Sequence, residues 1–395
     1  MPTLRVETLT SAKEIRQLAP AWDRLWEHSA VTLPTVRAEL VAQWIEHFAP
    51  HRPLCAVVVR RGDELLAALP LVERRIAGVL RAGDLTSNFW SPNGELLLDP
   101  SACAQEVLAA LVHRLAQLPW RLLWLDLVPA ASGAWPDFAS ALAAAGMHHV
   151  AALRYAIGQV AAVGDFAEYE GSRSKNLRRS LRRDLKRLER TGAVALQWRQ
   201  AFAPHEVEPA LRAALAIEQR SWKATAGQPV LDQPRLFQFY VWQCMQLAAW
   251  GQLRIATLMH AGQPIAFELG WVGKGVYHSF KAGFDEAFRA AGPGQLLRWM
   301  LLERCFQESE VLGVDFQGPL TEALAAWSTH TYPLCRLVVS AGGIRGRALV
   351  AAYCAARRVR NHWRSRKVRA GTHAVQEGRT GFIPPAAWPA LLPAG

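Results

Sequence analysis

The chain has 395 residues, 51% of them apolar, and a formal net charge of +12. That length exceeds one ordinary core and predicts two domains of roughly 150–200 residues, and that composition excludes a disordered chain. No apolar run approaches the ~20 residues of a membrane-crossing helix, and none follows Met1 as a secretion signal would.

The six cysteines, at 55, 103, 244, 305, 335 and 354, form neither a CxxC pair nor a Cys/His group of metal spacing. Reduced thiols in the cytoplasm and no bound metal are the expectation. The positive charge favours polyanionic partners without choosing among them.

Along the chain, Ile15, Leu18, Trp22, Leu25 and Trp26 recur at helical spacing and predict one helix over residues 12–28. A second helix over 38–48 follows Pro34. Residues 55–60 and 65–72 read as a hairpin about the turn Arg61-Gly62-Asp63-Glu64. A short strand over 96–99, a helix over 105–118 and a strand over 122–127 complete the first half. Another strand is expected over 150–157.

An arginine-rich helix then begins at Arg173 and ends at Arg190, with nine Lys/Arg against Asp184 and Glu189. Leu177, Leu181, Leu185 and Leu188 form one stripe, so the opposite face is cationic. A helix over 207–223, closed by Thr225-Ala226-Gly227, leads into a second hairpin, 253–259 and 264–272, about His260-Ala261-Gly262-Gln263. A strand over 276–280, an amphipathic helix over 294–308 and a strand over 311–316 follow. The second half thus repeats the order of the first, which suggests an internal duplication. Beyond Gly342-Gly343 come a last basic helix over 345–366 and a Gly-, Pro- and Ala-rich tail over 370–395, expected to be loosely ordered. The expected boundaries are 1–150, 151–340 and 341–395. The expected class is α/β (α+β), a mixed, mostly antiparallel sheet packed by helices in each of two lobes.

The candidate site lies in the second half. In Arg289-Ala290-Ala291-Gly292-Pro293-Gly294 the glycines let backbone approach a ligand closely. Gln295 opens a helix whose N-terminal amides suit a diphosphate, with Arg289 free to pair with it. Glu268 stands among apolar neighbours on its strand, where a carboxylate's pKa rises as a general base requires. An outward, solvated Glu268 fits the same alternation. Asp315 is placed to orient an acceptor or to cap its loop. Tyr277 and His278 are candidates for a general acid or for acceptor contacts, and Lys281 for a phosphate contact.

The order strand, R-x-x-G-x-G, helix resembles the acyl-CoA pyrophosphate loop of the GNAT acetyltransferases. The wider resemblance is to the cellulose-biosynthesis-type (CelD-like) branch, related to the FemAB-like aminoacyl transferases. It is carried by Ser174-Lys175-Asn176-Leu177-Arg178-Arg179, by Glu218-Gln219-Arg220-Ser221-Trp222-Lys223 with Gly227, and by Gln263-Pro264-Ile265-Ala266. Lys281-Ala282-Gly283-Phe284-Asp285, Gly292-Pro293-Gly294 with Leu296-Leu297, and Asp315-Phe316 with Gly318 continue it. Order and spacing agree from about residue 155 to 327. More loosely, Trp22 and residues 35–44 resemble the start of the same architecture. One departure is Thr321-Glu322-Ala323-Leu324, which lacks an aromatic-then-lysine step, although Trp327 remains.

The resemblance implies two tandem GNAT-like lobes, the first without a cofactor loop and shaping the acceptor side. It also implies transfer from acetyl-CoA or another acyl-CoA to the amine or hydroxyl of a sugar or cell-envelope metabolite. The alternatives are aminoacyl transfer from tRNA, with the helix from Arg173 to Arg190 contacting the RNA or another anionic polymer, and a non-catalytic polyanion-binding module. The C-terminal basic segment, Arg357-Arg358-Val359-Arg360-Asn361-His362-Trp363-Arg364, is a candidate for peripheral contact with anionic lipid.

Overall fold

The computed structural model describes residues 3–221 and 229–369. The expected turn at Thr225-Ala226-Gly227, with Trp222 and Lys223, and the tail 370–395 lie outside the described residues. The described residues form two compact units: one holds the residues to Val31, Thr35–Tyr155 and those from Pro333 to Arg369, and the other holds Thr32–Pro34 and Ala156–Tyr332.

The first unit opens with β1 (Leu4–Leu9), α1 (Ala12–Gln17), α2 (Ala19–His28) and α3 (Ala38–Phe48). One helix was expected over 12–28, and two form. A capping box at Ser11 and Glu14 starts α1, Leu18 leaves helical geometry at ψ 4°, and Pro20 sits in the first turn of α2, where its missing N–H costs nothing. Next come β2 (Leu54–Arg61), β3 (Glu64–Ile76), β4 (Leu80–Leu85), β5 (Leu97–Leu98), α4 (Ala104–Leu115), β6 (Leu122–Val128) and α5 (Trp135–Ala144).

Strands β1 to β4 run antiparallel in sequence order, and β6 joins β4 in parallel at Gly83↔Leu123. A Cβ on Gly83 would lie 2.4 Å from the Trp120 ring, so only glycine lets the indole pack there. Val57, Leu69, Leu108, Leu111, Leu125 and Phe138 fill the core beneath.

Strand β7 (His148–Ala161) carries the chain into the second unit. There follow α6 (Phe166–Gly171), α7 (Lys175–Glu189), β8 (Val194–Arg199), α8 (Pro204–Glu218) and α9 (Pro234–Ala249). After them come β9 (Leu253–His260), β10 (Gln263–Gly273), β11 (Val276–Phe284), α10 (Pro293–Gln307), β12 (Gly313–Asp315) and α11 (Glu322–Ala325). Strands β8 to β11 are antiparallel, β12 joins β11 in parallel, and β7 closes the order against β12. The two units therefore share one sequence of events: four antiparallel strands, then a helix, and a strand returning parallel to the fourth. The fold class is the expected mixed α/β arrangement.

The last strand, β13 (His330–Ser340), pairs β6 of the first unit at Leu337↔Leu125 and Val339↔Leu123. The C-terminal helix α12 (Ile344–Arg369) then sets Tyr353 edge-on against Trp124, with ring centroids 5.2 Å apart. No described helix is long and apolar enough to cross a membrane.

Candidate functional site

The geometry starts from a fork in the second unit's sheet. Strands β11 and β12 pair over only three positions, the last being His278↔Asp315, after which β12 ends while β11 runs on to Phe284. Against β10 the register of β11 slips between Leu269↔Lys281 and Gly270↔Ser279, leaving Phe280 as a bulge that bends the strand. Backbone groups of β11 therefore leave the ladder just where two buried polar side chains meet.

Those two side chains are bridged by Gln317, held with a left-handed backbone at φ 54°. Its amide nitrogen donates to His278 Nδ1 at 3.0 Å and to Asp315 Oδ1 at 3.0 Å. Gln159 Nε2 and the Tyr332 hydroxyl donate to Asp315 Oδ2 at 3.1 and 2.8 Å. Burial pushes the Asp315 carboxyl up against these donors, and it pushes His278 down to about 3, with a small opposing pull from the Thr32 backbone. A neutral imidazole accepting at Nδ1 carries its proton on Nε2. Gln159 Oε1 is buried and, among the described residues, has no hydrogen-bond partner, whereas the buried His278 ring is drawn toward the Thr32 backbone. One acceptor thus stands unsatisfied at the fork, a costly arrangement unless something else completes it.

On the neighbouring β10, Glu268 is 1% exposed. It takes Arg298 at 2.9 Å on one oxygen and the Tyr277 hydroxyl at 3.1 Å on the other. Arg298 also donates to Ser279 Oγ at 3.2 Å and lies 4.8 Å over the Phe316 ring. Glu268 is thus inward, with one partner on each oxygen.

The loop before α10 ends in Gly292, left-handed at φ 57°. Pro293 has no N–H, Gln295 N and Leu296 N both donate to Gly292 O, and Gly292 N donates to Arg289 O. Among the described residues, only the Gly294 amide at this helix start has no backbone acceptor.

Residues 175–323 match the family model of the acetyltransferase (GNAT) domain. The matched span runs from the start of α7 past β12 and contains the fork and the glycine loop. Among solved structures, FemX is similar over 85% of this chain and 96% of its own, with 10% identity and a TM-score of 0.54. A conserved protein of unknown function from Bacteroides thetaiotaomicron is similar over 86% of this chain and all of its own, with 10% identity and a TM-score of 0.52. At such identities the likeness is one of fold. No curated protein matches the chain.

Within the matched span the other expected residues are already engaged. Arg289 is ion-paired to Glu286 at 2.6 Å and is exposed. Lys281 pairs at 3.0 Å with Glu218, itself fully buried, beside the Tyr240 ring. Gln295 Oε1 accepts from Trp327 Nε1 at 2.7 Å, which fixes the first turn of α10. The basic helix α7 reaches the loop, Arg187 donating to Ala290 O at 2.5 Å. Asp184 faces Gly292, its carboxylate taken by Ser180 Oγ and Arg183 Nε at 3.1 and 3.0 Å. Arg298, Gln317, Gln159 and Tyr332 were missed in the sequence. Only Arg298, one turn beyond Gly294, carried a local signal.

Proposed function

We propose that the second unit transfers an acyl group from an acyl-CoA to an amine or hydroxyl of a sugar or related cell-envelope metabolite, as the CelD-like resemblance implies. The observation that carries this reading is the fork. A neutral buried His278 and one buried, unsatisfied acceptor, Gln159 Oε1, stand where β11 and β12 part, beside a 15-residue helix with an open first amide.

For a CoA diphosphate the chain would offer one free amide, Gly294, and the positive end of α10, with the Asp184 carboxylate beside Gly292 opposing it. Arg289 would join only by leaving Glu286. The thioester supplies an activated carbonyl: the acceptor's C–N or C–O bond forms as the C–S bond breaks, and the thiolate takes a proton. In this reading the neutral His278 turns its Nε2 proton from the Thr32 backbone to the carbonyl oxygen as negative charge develops, and Gln317 holds the ring in that tautomer. Asp315 is a positioning residue for Gln317. The Tyr277 hydroxyl, the candidate proton donor, donates to Glu268, which Arg298 holds in place.

The exposed cationic face of α7 (Arg179, Arg182, Arg183, Lys186 and Arg190) favours a second reading, aminoacyl transfer from tRNA. The test is a thermal shift of the full chain by acetyl-CoA and longer acyl-CoAs, with Gly294→Trp and His278→Gln alongside. A shift in the wild type that Gly294→Trp abolishes supports acyl-CoA use, and His278→Gln then binds but turns over more slowly. No shift at millimolar acyl-CoA, with tight salt-sensitive tRNA binding, overturns it in favour of the second reading.

A further inference from the structure

The C-terminal helix α12 takes no part in that chemistry, and it has an unusual surface. Its 26 residues hold nine Lys/Arg and no carboxylate, and no Asp or Glu occurs between Glu322 and Glu377. Its inner face is accounted for. Tyr353 packs with Ala82, Leu122 and Val338, and Arg357 donates to Leu153 O at 3.5 Å.

The outer face is not. Ile344, Ala348, Ala352, Ala355 and Val359 follow one another at steps of three or four, and all are exposed. Ile344 is 89% exposed and Val359 58%, and Leu153 beside Arg357 is also 58% exposed. Arg345, Arg347 and Arg358, likewise exposed, flank this apolar row.

Water favours neither half of that pattern as a bare surface: isoleucine and valine lose by standing in it, and a run of like charges repels itself. Nucleic acid would satisfy the arginines and leave the apolar row wet. A protein groove would cover the row without calling for nine cations and no anion. A bilayer containing acidic lipid answers both at once, because apolar side chains enter the boundary between headgroup and acyl chain while guanidinium groups pair with phosphates.

We propose that α12 is an interfacial helix that seats the first unit on an anionic membrane surface, its row of Ile344, Ala348, Ala352, Ala355 and Val359 inserted and Arg345, Arg347 and Arg358 on the headgroup phosphates. This rests on the first unit alone and is independent of the acyl-transfer reading.

The test is co-sedimentation of the full chain with vesicles of phosphatidylglycerol and phosphatidylcholine, against phosphatidylcholine alone, at low and high salt. An Ile344→Ser/Val359→Ser pair and an Arg345→Glu/Arg358→Glu pair are compared with wild type, and each is first checked for an unchanged melting temperature. Binding should require phosphatidylglycerol, weaken with salt, and fall about tenfold or more in either pair. Three results overturn the proposal. One is equal binding to neutral vesicles. Another is a serine pair that binds like wild type while the glutamate pair does not, which marks a general polyanion surface such as an RNA site. The third is a serine pair that melts early, which shows that the row packs against the chain itself.

Discussion

At the scale of single residues, Glu268 and His278 show what a strand pattern can and cannot say. The alternation in Ile265-Ala266-Phe267-Glu268-Leu269 left Glu268 equally able to face water or core. The structure turns it inward because Arg298, thirty residues on, supplies the buried counter-charge that an isolated carboxylate would lack. Nothing local to Glu268 announces that partner.

His278 can be tested through pH. Its native pKa, about 3, lies below the 6.5 of an unburied histidine, so between those values the unfolded chain holds a proton that the native chain does not. Native stability is therefore full above pH 6.5 and falls as pH falls, by up to about 1.4 kcal/mol per unit. Asp315, raised by burial, acts in the opposite sense and is common to both proteins compared. In urea unfolding between pH 7 and 5.5, the wild type should lose roughly 1 kcal/mol more than His278→Gln. Equal losses would show an imidazole that titrates normally.

At the scale of elements, periodicity read best where one face alone is buried. Residues 38–48 were expected as a helix and form α3 over that span. The leucine stripe of α7 packs inward as expected, Leu181 and Leu188 being 2% and 3% exposed, while Arg179, Arg182, Arg183 and Lys186 face water. Helix α9 escaped notice because Leu236, Phe237, Phe239, Tyr240, Val241 and Cys244 are all buried, which erases the 3.6-residue contrast. Strand β4 escaped because Gly83 and Asp84 are poor strand formers, placed there by the long β3 and by the Trp120 ring over Gly83.

The two faces of α7 should separate in a mutant pair. Leu188→Ala opens a cavity and should cost about 2–5 kcal/mol in urea unfolding. Arg179→Glu with Lys186→Glu should stay within about 0.5 kcal/mol per site while weakening any polyanion binding. A stability loss in the charge-reversed protein as large as that in Leu188→Ala would contradict the assignment of faces.

For the molecule as a whole, the repeated grammar of the two halves was legible, and the path of the chain between units was not. The sequence division placed everything up to residue 340 in the second lobe, yet β13 pairs β6, some two hundred positions earlier. Its pattern, with Pro333 and Arg336 inside, reads poorly as a strand. It is held there by Leu337 and Val339, 2% and fully buried in the first unit's core, and by the ion pair of Arg336 with Asp126.

Because that pairing is so remote in sequence, a defect in β13 should appear in strands far from it along the chain. Leu337→Ala removes buried methyl groups from the first unit's core and should cost about 2–5 kcal/mol there. Hydrogen exchange followed residue by residue should then show faster exchange in β2, β3 and β6. Strands β9, β10 and β11, whose core is Leu258, Ile265 and Leu301, should keep their protection. If β9–β11 lost protection and β2–β6 did not, the last strand would belong to the second unit's core, and the division of the chain at Pro333 would be wrong.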